Sequence, residues 1–123
     1  LYARSRVALA ARSRRLIALD QAVTEIRDDE QFIRDAEFGR DLGYNGKICV
    51  HPRQVEIANR VFSPSDRELE HSRRLIATYE AAMAAGKGTI DFEGKMIDGP
   101  LLKRAEDIVA MAEAIARREA AAR

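Results

Sequence analysis

The chain has 123 residues, 46% hydrophobic and 33% charged, which suits one domain and excludes disorder as the default. Its 21 basic and 20 acidic residues leave a net charge of +1, so the overall balance points to neither a nucleic-acid nor a membrane partner. Apolar runs are only a few residues long, far short of the roughly 20 that span a bilayer.

The first residue is Leu1, not Met, as expected of a processed chain or a piece of a longer one. Residues 1–14 read as a helix. Arg4, Arg6, Arg12, Arg14 and Arg15 all precede the first acidic residue, Asp20. Such an acid-free start can be a transit peptide, but a strand-like run follows without a cleavage-type segment. An exposed helix face is therefore expected, with Val7, Ala8, Ala10 and Ala11 inward. No aromatic platform accompanies the arginines to support nucleic-acid binding. Residues 16–19 form a short apolar run that ends at Asp20, the pattern of a buried parallel strand.

Asp28 or Asp29 offers an N-cap, and Phe32, Ile33, Ala36 and Leu42 follow at helical spacing. Gly43 stands where a C-cap glycine belongs. After the tight loop Tyr44-Asn45-Gly46, residues 47–50 read as a second strand ending at His51-Pro52, and Pro52 suits a first helical position. Val55, Ala58, Val61 and Phe62 give the next helix its stripe. The alternation helix, strand, helix, strand, helix predicts α/β architecture with parallel strands.

The pattern changes at Ser63-Pro64-Ser65. Ser65 and Glu68 spell a capping box, and Leu69, Leu75, Ile76, Tyr79 and Met83 line the helix it opens. Gly86 and Gly88 end that helix. Residues 89–92 and 95–97 flank Glu93-Gly94 as a small hairpin. Gly99-Pro100 opens a last helix with Leu101, Leu102, Ala105, Ile108, Val109, Ala112 and Ile115 inward and a tail expected to fray from Arg117. Two parallel strands cannot make a stable sheet alone. The chain therefore reads as the end of a larger α/β domain plus a helical appendage.

Nucleotide-binding and nucleophile-elbow motifs are absent from the sequence. Cys49 lies in an apolar strand, as inert core residues do. As a lone cysteine it forms no disulfide within the chain, which favours a reducing, cytoplasmic setting. His71 sits on a charged helix face, and Cys49, His51 and His71 lack zinc-ligand spacing. Asp20 and His51 each follow a strand directly, where active-site residues gather in an α/β barrel. The alternative for His51 is to orient the helix that starts at Pro52. Asp98 lies between the hairpin and Gly99-Pro100, where the alternative to catalysis is an N-cap.

The segment Gly43-Tyr44-Asn45-Gly46-Lys47-Ile48-Cys49-Val50-His51-Pro52-Arg53-Gln54 resembles a motif of the citrate lyase beta-subunit/malyl-CoA lyase family, of the HpcH/HpaI aldolase type. Asn59, Phe62-Ser63-Pro64-Ser65 and Glu68 continue it. Gly94-Lys95-Met96-Ile97-Asp98-Gly99-Pro100 resembles a second family motif, and the resemblance covers nearly the whole chain. It implies the C-terminal part of a TIM (β/α)8 barrel followed by a helical extension. Residues 1–62 would hold the last two β/α units and 63–123 the extension. A whole barrel needs roughly 250 residues.

The resemblance further implies a Mg²⁺-dependent lyase that cleaves or forms carbon–carbon bonds of 3-hydroxyacyl-CoA thioesters, of malyl, citramalyl or citryl type, giving acyl-CoA and an oxo acid. The family's metal ligands and substrate arginine come from earlier strands, so no metal ligand is expected in this chain and it should be inactive alone. Asp98 matches the family's acid/base aspartate, which serves a neighbouring subunit of a homo-oligomer, a trimer or hexamer. Asp20, His51, Pro52 and Gln54 would line the substrate and CoA site. The sequence departs from the family at Arg15 and Gln21, where glycine is usual. Arginine resists a positive φ, so the turn into the first strand is expected to be built differently. Two other readings stay open: a non-catalytic oligomerisation or partner-binding module, and a malate synthase-like condensation followed by thioester hydrolysis.

Overall fold

The computed structural model describes residues 1–88 and 90–123. Thr89, placed by the sequence at the start of the hairpin, lies outside the described residues. The chain divides into two compact units, Leu1–Ser63 and Pro64–Arg123.

The first unit runs α1 (Tyr2–Ser13), β1 (Leu19–Asp20), α2 (Asp29–Leu42), β2 (Gly46–Lys47) and α3 (Pro52–Phe62). β1 and β2 are parallel, with Leu19 opposite Gly46 and Asp20 opposite Lys47. The pairing extends beyond these residues through Asn45. Its amide donates to the Ala18 carbonyl at 2.9 Å, and its side-chain oxygen accepts from the Ala18 amide at 2.9 Å. Asp28 caps the start of α2, its carboxylate accepting from the Gln31 amide, and Gly43 caps its end with φ 103°. Phe32 and Ala36 of α2 pack on Ile57, Ala58 and Val61 of α3. Ala8, Ala18 and Tyr44 form a smaller cluster.

Two expectations are corrected here. The first strand is Leu19–Asp20 rather than 16–19, and within this chain Ile17 is 80% exposed, with Leu16 and Leu19 also largely exposed. Strand side chains alternate between faces, and only Ala18 and Asp20 turn inward. Likewise the second strand is Gly46–Lys47 rather than 47–50; beyond it Cys49 joins the α2–α3 core, while Ile48 and Val50 face outward.

The turn at Arg15 corrects a third. Arg15 adopts φ 56°, the conformation that glycine would supply. The Leu16 amide donates to the Ala11 carbonyl at 2.9 Å and the Arg15 amide to Arg12 at 3.1 Å. That pair of bonds is the Schellman closure of a helix. The turn is therefore built on the glycine pattern, with arginine bearing the strain. A left-handed L-residue costs about 1–2 kcal/mol, part of which glycine returns through its looser unfolded chain. Arg15→Gly is accordingly expected to stabilise the fold by about 0.5–1 kcal/mol, read as a rise in the urea midpoint at unchanged slope. Gln21 needs no positive φ, because Arg15 and Glu93 are the non-glycine residues that carry one among the described residues.

The second unit runs α4 (Asp66–Ala84), β3 (Ile90–Phe92), β4 (Lys95–Ile97) and α5 (Gly99–Ala121). Ser65 and Glu68 form the capping box, at 3.1 Å in both directions. β3 and β4 are antiparallel, with Ile90 opposite Ile97. Glu93 and Gly94 turn the hairpin at φ 51° and 77°, the two positive values of a two-residue type I′ turn. Leu75, Ile90, Ile97 and Ala105 make the core, with Ile76, Tyr79 and Leu102 against it. Met83 and Leu101, expected inward, are exposed; the α4 stripe closes on Ala82 instead. α5 stays helical through Arg117 to Ala121. Among the described residues no helix is long and apolar enough to cross a membrane.

Candidate functional site

The ends of the two parallel strands carry the polar residues of the first unit. Asp20 closes β1, is only 1% exposed, and is gripped by a guanidinium. Arg4 Nε donates to Oδ1 at 2.9 Å, and Arg4 Nη2 donates to Oδ2. The Gln21 amide also donates to Oδ1, at 2.9 Å. Lys47 Nζ lies 3.6 Å from Oδ2 and donates to the Gln21 carbonyl at 2.7 Å. Asp35 of α2 completes the group, pairing with Lys47 Nζ and accepting from Arg4 Nη1 at 3.1 Å. One charged side chain from each of α1, β1, α2 and β2 thus meets in a neutral quartet. The Arg4 guanidinium also lies over the Phe38 ring and the Lys47 ammonium over Phe32, at 5.0 and 5.6 Å, contacts that favour a cation on an aromatic face.

Burial pushes the Asp20 carboxyl up, but the Arg4 hydrogen bonds, the Gln21 amide and the Lys47 charge outweigh it and hold the group below the usual carboxylate range. Gly39 makes room for this arrangement, because a Cβ there would collide with the Asp20 carboxylate. Asp20, read from the sequence as lining a substrate site, faces inward and spends both oxygens on the protein. Arg4 departs from its expectation. Sequence reading placed it with the exposed arginines of α1, yet its side chain is 14% exposed and ion-paired.

His51 and Pro52 line an open depression with Cys49, Val50, Val55 and Glu56. His51 also caps α3, its Nδ1 accepting from the Arg53 amide at 3.2 Å. Gln54 is buried, and both ends of its amide are taken. Oε1 accepts from the Val50 amide at 2.8 Å and Nε2 donates to the Val23 carbonyl at 2.9 Å. Gln54 thereby pins the segments that follow both strands. Burial raises the Cys49 thiol pKa, opposed in part by the Lys47 charge, which agrees with an inert cysteine.

Asp98 belongs to the second unit. It is half-buried at the junction of β4 and α5, and Oδ1 accepts from the Leu101 amide at 3.3 Å. Ile97, the residue before it, is buried in the core. Asp98 is thus an N-cap held from both sides, and the cap occupies Oδ1. Among the described residues no three His, Cys, Asp or Glu side chains are grouped to hold a metal, so these residues do not by themselves fit a divalent cation. Sequence reading missed Asp35 and Lys47 as ion partners. The available signal was a lysine opening an apolar strand, a position that demands a counter-ion.

Comparison with known proteins bears on both units. The family model for HpcH/HpaI aldolase/citrate lyase matches residues 1–52. A citrate lyase subunit beta-like protein of Deinococcus radiodurans is 47% identical over 109 residues, which is 89% of this chain and 38% of that protein. A (3S)-malyl-CoA thioesterase of Cereibacter sphaeroides is 43% identical over 108 residues, 88% of this chain and 38% of that protein. Among solved structures, the protein CitE of Mycobacterium tuberculosis in complex with magnesium, acetoacetate and coenzyme A superposes with a TM-score of 0.78 at 30% identity, covering 91% of this chain and 40% of that one. The chain spans about two fifths of the length of these relatives.

Proposed function

We infer that this chain, which belongs to the HpcH/HpaI aldolase/citrate lyase family, is the part of a CoA-ester lyase that closes a (β/α)8 barrel and carries its proton-transfer residue. In this reading residues 1–62 are the last two β/α units and 63–123 the helical extension. The observation that carries it is the likeness over 91% of the chain to a protein solved with magnesium, acetoacetate and coenzyme A. A small oxo acid and a CoA thioester are the ligand classes that likeness supports. The ligands of a magnesium ion are assigned outside residues 1–123.

Asp98 is the residue proposed to act. Cleavage of a 3-hydroxyacyl-CoA breaks the bond between its second and third carbons. The third carbon leaves as the carbonyl of an oxo acid, its hydroxyl proton passing to solvent water, from which Asp98 later regains one, and the thioester is left as an enolate. Asp98 in its acid form gives a proton to the α carbon of that enolate; in condensation its carboxylate takes the same proton away. Positioned proton transfer of this kind contributes about 10²–10⁴-fold. The N-cap bond holds Oδ1, fixing the carboxyl while Oδ2 carries the proton. His51 and Pro52 are proposed to line the approach of the CoA arm, with Asp20 and Gln54 behind them holding the strand ends. Asp98 is proposed to serve a neighbouring subunit of a homo-oligomer, in the cytoplasm.

A second reading is favoured by the malyl-CoA thioesterase relative: hydrolysis of the thioester. The two are separated by incubating the full-length protein with malyl-CoA and Mg²⁺ and quantifying products. The lyase reading expects glyoxylate and acetyl-CoA. Malate and free CoA without carbon–carbon cleavage would overturn it. The 123-residue chain alone is expected to turn over neither malyl-CoA nor citramalyl-CoA.

A further inference from the structure

Glu93 sits where its side-chain type is least expected. The first position of a type I′ turn favours asparagine, aspartate or glycine, and Glu93 holds φ 51° there. Its carboxylate accounts for the choice. Oε1 lies 3.3 Å from Arg74 Nη1 and Oε2 lies 3.5 Å from His71 Nδ1. His71 and Arg74 are three apart on α4 and so share one face. The His71 ring also meets Phe92 edge to face, with centroids 5.4 Å apart. The tip of the hairpin is therefore fastened to α4, while its base, Ile90 and Ile97, is fastened in the core. A two-stranded hairpin is marginal by itself, and this one leads from Ile97 directly into Asp98.

We propose that Glu93 is a positioning residue for Asp98: the latch from its carboxylate to His71 and Arg74 sets the pose of the hairpin that delivers the Asp98 carboxyl. This rests on the reading of Asp98 as the proton-transfer group. The latch is half-exposed, so its effect on global stability is small and its effect falls on the geometry of one segment.

The test uses two variants of the full-length protein. Glu93→Gln removes the charge and keeps the side-chain shape. Glu93→Asn removes the latch and improves the turn. Hydrogen exchange over residues 92–101 is expected to quicken about three- to fivefold in Glu93→Gln. In both variants kcat for malyl-CoA with Mg²⁺ is expected to fall about three- to fivefold while KM stays within about twofold. A role in folding stability alone would spare Glu93→Asn. Unchanged exchange in Glu93→Gln overturns the latch. Unchanged kcat in both variants, with Asp98→Asn inactive, overturns the positioning role. If Asp98→Asn keeps its turnover, the acid/base reading falls instead, and the exchange data alone judge the latch.

Discussion

Asp98→Asn in the full-length protein is expected to lower kcat by about 10²–10⁴-fold while affinity for the CoA thioester stays within about threefold. The substitution isolates the proton. Asparagine keeps the planar shape and keeps an oxygen at the position where Oδ1 accepts from the Leu101 amide. Asparagine and aspartate are nearly equal as N-caps, so α5 should begin at the same residue and the thermal midpoint should barely move. The lost capacity is the exchange of a proton with carbon, which an amide cannot perform. Asp98→Ala is the informative contrast, because it removes the cap as well and should cost about 1 kcal/mol of stability in addition to the activity. Steady-state kinetics with a melting curve on each variant separate the two effects. Wild-type turnover in Asp98→Asn would refute the acid/base role, whatever the family likeness.

The parts of the fold that local chemistry governs were readable in advance. Asp28, Gly43 and the Ser65–Glu68 box mark helix ends because each satisfies backbone groups within a few residues of itself, and Pro52 marks one because it lacks the N–H that a first turn leaves unpaired. Glu93-Gly94 marked the hairpin for a similar reason, although the partners of the Glu93 carboxylate on α4 were invisible in the sequence. What could not be read was whatever depends on distant neighbours. Arg4 resembled the other four arginines that precede Asp20, and its counter-ions Asp20 and Asp35 lie 16 and 31 residues away. The apolar run 16–19 announced a strand, but hydrophobicity says nothing of which surface covers it, and Leu16 and Ile17 face outward here. At Arg15 the residue preference pointed the wrong way. The Schellman bonds of α1 and the continuation into β1 over-determine the backbone, so arginine takes the conformation that glycine would adopt freely. For the site, turn formers around Asp98 made its capping role legible, whereas a catalytic role rests on the motif alone. His51 and Gln54 matched a motif too, and the structure gives both of them work in holding the backbone.

Asp20→Asn is expected to destabilise the first unit by about 3–5 kcal/mol, the range for removing one partner from a buried ion pair. The charge arithmetic explains the size. With Asp20 present, Arg4 and Lys47 are balanced by two carboxylates; without it, the two cations share Asp35 alone. The amide group that replaces the carboxylate would also turn a donor toward the guanidinium or the ammonium, neither of which can accept a hydrogen bond. Gly39 leaves no slack for the side chain to withdraw along α2, since the carboxylate already fills the space a Cβ would occupy. The pH dependence gives an independent check. The folded Asp20 carboxyl titrates below its ordinary value, near 3.9 in an unfolded chain. Its contribution to stability is therefore complete above about pH 5 and is lost as pH falls through the folded value. Urea denaturation of the full-length protein, followed by circular dichroism from pH 7 to pH 3, should show wild type losing stability below about pH 4. Asp20→Asn, already deprived of that contribution, should show a shallower fall over the same interval. Equal stabilities at pH 7, or parallel curves below pH 4, would mean that the quartet is not what holds α1, α2 and the two strand ends together.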